Sequence, residues 1–437
     1  MSTNIRKIAF ELLRSYEEEG RYVNLLLSSP KVASLPKDEK NAVTALLYTA
    51  VERKMTYDYF ISAFSKRPIA EVDPYVRDVI RIGMCQIFDM KSIPDFAAVN
   101  ESVKLARHKG EAGFINAVLR EAVRNKDSLP YPKREKNLAR HLSVLYSIPL
   151  ATVKLFISIV GEDECEALIS AMSRPVGLSI TINENKISRE ELLSKLAPYG
   201  ALASPYTDNG IIFEKSMSPR ELPGFSEGEF FVQDESSRIA ALVLGAEKGQ
   251  SVIDVCSAPG GKAFEAAIKV GSEGRVFAFD VHESKISLIE EGAKRLGLGN
   301  ISVGVMDATA PDESRFDSFD RVICDVPCSG LGVFAKKPDL RYKDIASASE
   351  LPSLQYEILE KSARYLKEGG VLVYSTCTIN PEENEKVTDK FLSEHPEFSY
   401  ESADIRGIDF SLGHITLMPH KCGTDGFYIA KLRKNND

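Results

Sequence analysis

The sequence predicts a multidomain chain: an all-α domain over residues 1–130, a small α+β adaptor over 137–230, and an α/β domain with a doubly wound sheet over 231–437. Three observations carry that prediction. At roughly 150 residues per domain, 437 residues hold about three cores. Apolar residues recur near every 3.6 positions as far as about residue 130, and after Phe230 short β-rich runs alternate with helical ones. The 43 % hydrophobic and 27 % charged fractions are those of a folded globular chain rather than a disordered one.

In the first domain Ile8, Leu12 and Leu13, then Val43, Leu46, Leu47 and Ala50, then Val76, Val79, Ile80, Met84 and Ile87 each line one helical face. Ser29-Pro30, Arg67-Pro68, Asp73-Pro74 and Ile93-Pro94 punctuate it into six or seven helices, and the proline- and charge-rich stretch 129–136 reads as a linker. The adaptor mixes a helix over 153–172 with strand-like runs at 177–183 and 211–214. In the third domain the expected strands are 251–256, 275–281, 301–307, 320–326 and 371–377, with helices at 262–270, 283–296, 349–366 and 382–395 between them. A last pair, 415–419 and 426–434, closes the sheet as a hairpin. Ligands of such a sheet bind at the carboxyl ends of its strands.

The net charge of −8 is unevenly spread: residues 1–140 carry +6 and the remaining 297 carry −14. That asymmetry suits a basic module delivering a polyanion to a more acidic body. No run of apolar residues approaches 18, and Glu17-Glu18-Glu19 stand where a signal peptide needs apolar residues, so the expectation is a cytoplasmic protein without a membrane segment. Seven cysteines without CxxC pairs favour neither disulfides nor a metal site. Without a coiled-coil repeat, a monomer is expected.

The chemistry lies at the expected strand ends. The first runs into Cys256, Ser257, Ala258, Pro259, Gly260, Gly261 and Lys262, a turn into a helix where missing side chains let backbone approach a ligand. It lacks the GxGxxG of a dinucleotide site. Asp280, placed to accept from ribose hydroxyls, ends the second strand; Asp307 ends the third and Asp325 stands near the end of the fourth. Three acids make a poor host for a pyrophosphate and a good one for a cationic ribose-bearing ligand such as S-adenosylmethionine. Cys328 and Cys377 follow the fourth and fifth strands, so two thiols face one crevice. A thiolate adding at C6 of cytosine makes C5 nucleophilic enough to take a methyl group, and a second thiol suits the elimination that follows. The residues alone leave Cys328 and Cys377 nearly equal as nucleophile. Cys85, Cys165, Cys256 and Cys324 read as small buried hydrophobes.

Taken together, CSAPGGK (256–262), Asp280, Asp307, DVPCSGLGV (325–333), KKPDLRY (336–342) and YSTCTINPEENE (374–385) resemble the motif set of RNA cytosine-5 methyltransferases. VNESVKLAR (99–107) and FINAVLREAVRN (114–125) resemble the NusB-like RNA-binding domain fused to the catalytic domain in the Sun/Fmu (RsmB) type of 16S ribosomal RNA methyltransferase. The resemblance implies a Rossmann-like class I methyltransferase domain, S-adenosylmethionine bound by 256–262 with Asp280, Asp307 and Asp325, and methylation of a cytidine in naked or partly assembled 16S rRNA. It makes Cys377 the nucleophile and Cys328 the residue that assists release, whereas in DNA cytosine-5 methyltransferases the Pro-Cys loop supplies the nucleophile. Asp325 and Lys262 are then expected to polarise the base.

Two departures stand out. The loop 334–342 has lysines where relatives often have arginines and no tryptophan, and the strand 179–183 lacks a frequent arginine, so looser phosphate contacts are expected. The competing readings are a tRNA substrate, a non-catalytic RNA-binding assembly or antitermination factor, and an oxidoreductase.

Overall fold

The structure is a computed structural model describing residues 3–174, 176–343, 345 and 349–436. Its contacts divide the chain into two compact units: Met1–Ile169 with Lys337–Lys343, and Ser170–Lys336 with Asp344–Asp437.

The first unit is helical. Eight α-helices run from Thr3–Glu19 to Lys109–Arg124 among the described residues, two of them, Val23–Leu27 and Pro30–Ala33, little more than a turn. Two of the prolines that punctuate the sequence open helices rather than end them, since Pro30 and Pro74 occupy first-turn positions where no amide partner is needed. Asp73 caps the second of these, its Oδ1 accepting from the amides of Tyr75 (2.8 Å) and Val76 (3.3 Å). The helix Pro74–Phe88 is buried almost throughout and forms the centre of the bundle. It brings polar side chains with it. Arg81 forks onto Asp58 at 2.7 and 2.6 Å and reaches Asp78 at 3.0 Å, so the buried cation is fully paired.

The stretch 137–169, expected in the adaptor, groups with this helical unit, because Leu138–Tyr146 packs on Lys54–Ser65. The expected helix over 153–172 begins at Leu150 and breaks at Gly161, whose φ of +81° no helix accommodates. The first unit also takes in the short 3-10 segment Pro338–Tyr342. Arg341, almost wholly buried, donates to the carbonyl of Tyr146 (3.2 Å) and to Glu52 Oε1 (3.2 Å), while Tyr342 donates to the carbonyl of Glu52 (2.7 Å). The looser phosphate contacts expected of this loop therefore do not describe Arg341 or Tyr342, which are packing residues.

The second unit opens with a four-stranded antiparallel sheet: β1 (Ser179–Ile182), β2 (Ala201–Ala203), β3 (Gly210–Phe213) and β4 (Phe230–Val232), in the order β2-β3-β1-β4. Arg238, from the helix Glu235–Val243, lies fully buried against it and donates to the carbonyl of Ile180 and to Thr207 Oγ1, both at 2.8 Å. Gly210 leaves that guanidinium its space, since a Cβ there would lie 2.5 Å from the Arg238 carbon.

The main sheet comprises β5 (Ser251–Asp254), β6 (Arg275–Asp280), β7 (Ile301–Val305), β8 (Phe319–Asp325), β9 (Leu366–Thr376), β10 (Phe398–Tyr400), β11 (His414–Leu417) and β12 (Phe427–Lys434). Five strands are parallel in the order β9-β8-β5-β6-β7, β12 pairs antiparallel to β9, and β10 and β11 share the far edge of β12. The expected hairpin is thus present. Chain order reverses between β5 and β8, and such a switch point opens a crevice above the strand ends. Helices cover both faces. Strand β9 starts five residues earlier than expected, because a register shift opposite Phe319 and Arg321 absorbs the Gly369-Gly370 pair that reads as a turn.

Candidate active site

The loops after β5, β6, β7, β8 and β9 converge on one end of the sheet. A cavity of about 410 Å³ lies there, lined by Cys256, Ala258, Asp280, Asp307 and Asp325 together with apolar side chains such as Met306 and Leu354. The Asp280 carboxylate is fixed by the amides of Ala258 (3.3 Å) and His282 (2.9 Å) and stands 3.7 Å from Lys285 Nζ. Asp307 lies two residues past the end of β7. It accepts from the Thr309 hydroxyl (2.7 Å) and amide (2.9 Å), which hold its carboxyl below the usual range.

Ser257, Pro259, Gly260, Gly261 and Lys262 do not line the cavity. Gly260 has a φ of +109°, and a Cβ on it would lie 2.4 Å from the Phe264 ring. It is glycine so that the helix Gly261–Val270 can start over Phe264. A Cβ on Gly261 would meet Gln233 at an ordinary 3.5 Å.

Beside the cavity sits a charged pair. Lys262 Nζ is 2.8 Å from Asp325 Oδ2, donates to Ser237 Oγ at 2.8 Å, and lies 5.2 Å from the centre of the Phe427 ring. The other Asp325 oxygen accepts from Ser375 Oγ at 2.6 Å. Beneath them Asp254, at the end of β5, is fully buried, and burial pushes its carboxyl up to about 7 despite Lys262, with Asp325 adding to the rise.

The two thiols meet. Cys328 Sγ and Cys377 Sγ are 2.8 Å apart, both half-buried, and the Cys377 amide points at Cys328 Sγ from 3.2 Å. The Cys328 thiol is held well above the ordinary cysteine range, first by its hydrogen bond to the Cys377 sulfur, then by burial and by the negative charge of Glu383. Cys85 and Cys324 are buried and their thiols pushed up by burial.

Sequence reasoning missed several of these groups: Asp254, Ser237, Ser375, Phe427 and Glu383. Ser375 lies inside the YSTCT run and Asp254 ends an expected strand, so both had a positional signal. Ser237 and Phe427 come from elements that close on the site only in three dimensions.

A mostly parallel sheet with a cavity over its switch point and acids at its strand ends is a Rossmann-like arrangement, and a helical unit precedes it in the chain. The profile described as 16S rRNA methyltransferase RsmB/F matches residues 241–433, and that of the NusB family matches residues 3–124. A "Probable ribosomal RNA small subunit methyltransferase B" of Bacillus subtilis (strain 168) is 34% identical over 451 residues, covering 99% of this chain and 99% of that one. Its namesake in Synechocystis sp. is 32% identical over 443 residues, covering 98% of this chain and 99% of that one. The crystal structure of PH0851 matches with a TM-score of 0.80 at 25% identity over 99% of both chains. A methyltransferase homolog protein from Pyrococcus horikoshii matches with a TM-score of 0.60 at 26% identity, over 68% of this chain and 99% of that one. The chain belongs to the RsmB/F family of 16S rRNA methyltransferases.

Proposed function

We propose that the protein methylates C5 of a cytidine in 16S ribosomal RNA, naked or partly assembled, through a transient bond between Cys377 and C6. The observation that carries this reading is the pair of thiols 2.8 Å apart, beside the Lys262–Asp325 pair and an acid-lined cavity. S-adenosylmethionine suits that cavity: Asp280 is aimed to accept from ribose hydroxyls, Met306 and Leu354 offer apolar faces to a purine, and Asp307 and Asp325 favour a cation. It supplies an electrophilic methyl group there.

The residues then divide the work. The Cys377 thiolate forms a bond to C6, and the electron pair of the C5–C6 double bond moves to C5, which takes the methyl group; the sulfur–methyl bond of the donor would break, its electron pair staying on sulfur as a neutral thioether. Asp325 and Lys262 draw electrons from the ring through N3, the exocyclic amine or a ring acceptor. For release, the C5 proton passes to solvent, its bonding pair restores the double bond, and the C6–sulfur bond breaks to return the Cys377 thiolate. Cys328, holding its proton, hydrogen-bonds to the sulfur as it leaves and so makes it a better leaving group.

On the first unit Lys109, Arg120, Lys133, Lys136 and Arg140 are exposed cations suited to RNA phosphates. No step of this reaction calls for a metal or for a second copy of the chain, so a monomer suffices.

Methyl transfer from radiolabelled S-adenosylmethionine to 16S transcripts tests the reading, with tRNA transcripts as the competing substrate. Cys377→Ala is expected to abolish transfer. Cys328→Ala is expected to accumulate a protein–RNA adduct that survives denaturant. Label entering tRNA but not 16S RNA would overturn the substrate, and full activity in Cys377→Ala would overturn the chemistry.

A further inference from the structure

Between the two cysteine loops lies a buried carboxylate that the chemistry above does not use. Glu383 is 0% exposed, in the polar loop between β9 and the helix Glu385–Glu394. Its Oε2 accepts from the Ser329 amide at 2.8 Å and from Gln355 Nε2 at 3.0 Å. Its Oε1 accepts from Ser329 Oγ at 2.6 Å and Asn380 Nδ2 at 3.1 Å. None of these four donors carries a charge, so the carboxylate is held by hydrogen bonds alone, and removing any one of them leaves a buried oxygen with one donor in place of two.

The partners are informative by position. Ser329 directly follows Cys328, and its hydroxyl lies 3.0 Å from that of Thr378, which directly follows Cys377. Asn380 belongs to the Cys377 loop, and Gln355 also donates to the carbonyl of Pro327, the residue before Cys328, at 2.9 Å. One side chain thus grips the residues on either side of Cys328, directly or through Gln355, and joins them to the loop of Cys377. Two anchors on flanking residues fix a loop residue far better than one, and sub-ångström placement governs reactions of this type. Of the residues just named only Pro327 lines the cavity at the strand ends; Glu383, Ser329, Gln355, Thr378 and Asn380 do not.

We propose that Glu383 is the positioning residue that keeps Cys328 within reach of the Cys377 sulfur, so that its loss spares adduct formation and stalls release. This rests on the covalent reading above. Glu383→Gln keeps the shape but turns one acceptor edge into a donor that faces donors.

The test compares wild type, Glu383→Gln and Ser329→Ala on 16S transcripts. It measures kcat, KM, the fraction of protein in denaturant-stable adduct, S-adenosylmethionine affinity and Tm. Glu383→Gln is expected to lower kcat 10- to 100-fold and raise the adduct fraction at least fivefold. Cofactor affinity should stay within twofold of wild type. Ser329→Ala, which loses one donor, should show the same pattern at 3- to 10-fold, and decides the matter should Glu383→Gln not fold. A purely structural role would lower Tm and cofactor affinity together without raising the adduct fraction, and that result overturns the proposal, as does wild-type release in Glu383→Gln. Transcripts containing 5-fluorocytidine, whose C5 carries no proton to lose, separate the two levels of failure. If wild type forms no adduct on them, the covalent reading itself falls; if it does and the variants release normally, only the role of Glu383 falls.

Discussion

Asp254 shows how a single group links the site to stability. Its carboxyl is fully buried and raised to about 7, far above the 3.8 of an exposed aspartate. Ionisation therefore disfavours the fold: the cost is absent below about pH 4, accumulates as pH rises, and is complete once pH passes the folded value. A rise of that size corresponds to about 4 kcal/mol. Asp254→Asn is expected to raise Tm relative to wild type at pH 8 and to leave it unchanged near pH 4, measured by thermal melts at both pH values. An equal difference at the two would assign the effect to packing rather than charge. At this scale the sequence was legible where residues sit in a recognisable string: the Cys328 and Cys377 sulfurs lie 2.8 Å apart, and Lys262 lies 2.8 Å from Asp325. Glu383 was not legible, because a glutamate in a PEENE run reads as the exposed first turn of a helix, and only the closed loop reveals that the helix starts two residues later.

Among the elements, the loop after β8 owes its shape to a backbone crossing rather than to side chains. Gly332 donates its amide to the carbonyl of Cys377 at 3.0 Å and accepts from the amide of Gly426 at 2.9 Å. A Cβ on Gly332 would lie 1.9 Å from the Gly426 oxygen, and backbone cannot swing aside as a side chain would. Gly332→Ala is thus expected to cut kcat at least 10-fold while the helical unit keeps its far-UV signature; a variant with full activity would show that the crossing is not needed. The strands and helices of the main sheet were readable because their periods switch between two and 3.6 residues. Their ends were less so. The early start of β9 and the break at Gly161 both turn on backbone geometry that a glycine permits but does not announce.

For the whole molecule, the charge imbalance between the first 140 residues and the rest becomes a measurable property. Several cations of the basic stretch are already paired, Lys126 with Asp95 at 2.8 Å among them, so the sequence count overstates what RNA can use. Lys133, Lys136 and Arg140 are exposed and close in sequence. Replacing all three with glutamine is expected to weaken binding of 16S transcripts and lower the slope of log affinity against log salt by about 2, at roughly 0.7 for each phosphate no longer neutralised. Filter binding across a salt series checks it, and an unchanged slope would place the RNA elsewhere.

Arg341 and Tyr342 set a limit on dissecting this enzyme. They stand only 13 and 14 residues beyond Cys328, yet they complete the interior of the helical unit by satisfying the carbonyls of Glu52 and Tyr146. A fragment ending at residue 169 would lack these side chains and the donors they bring to both carbonyls, while a fragment beginning at 170 would carry an arginine and a tyrosine without the acceptors they use here. Neither half is a faithful miniature of the enzyme.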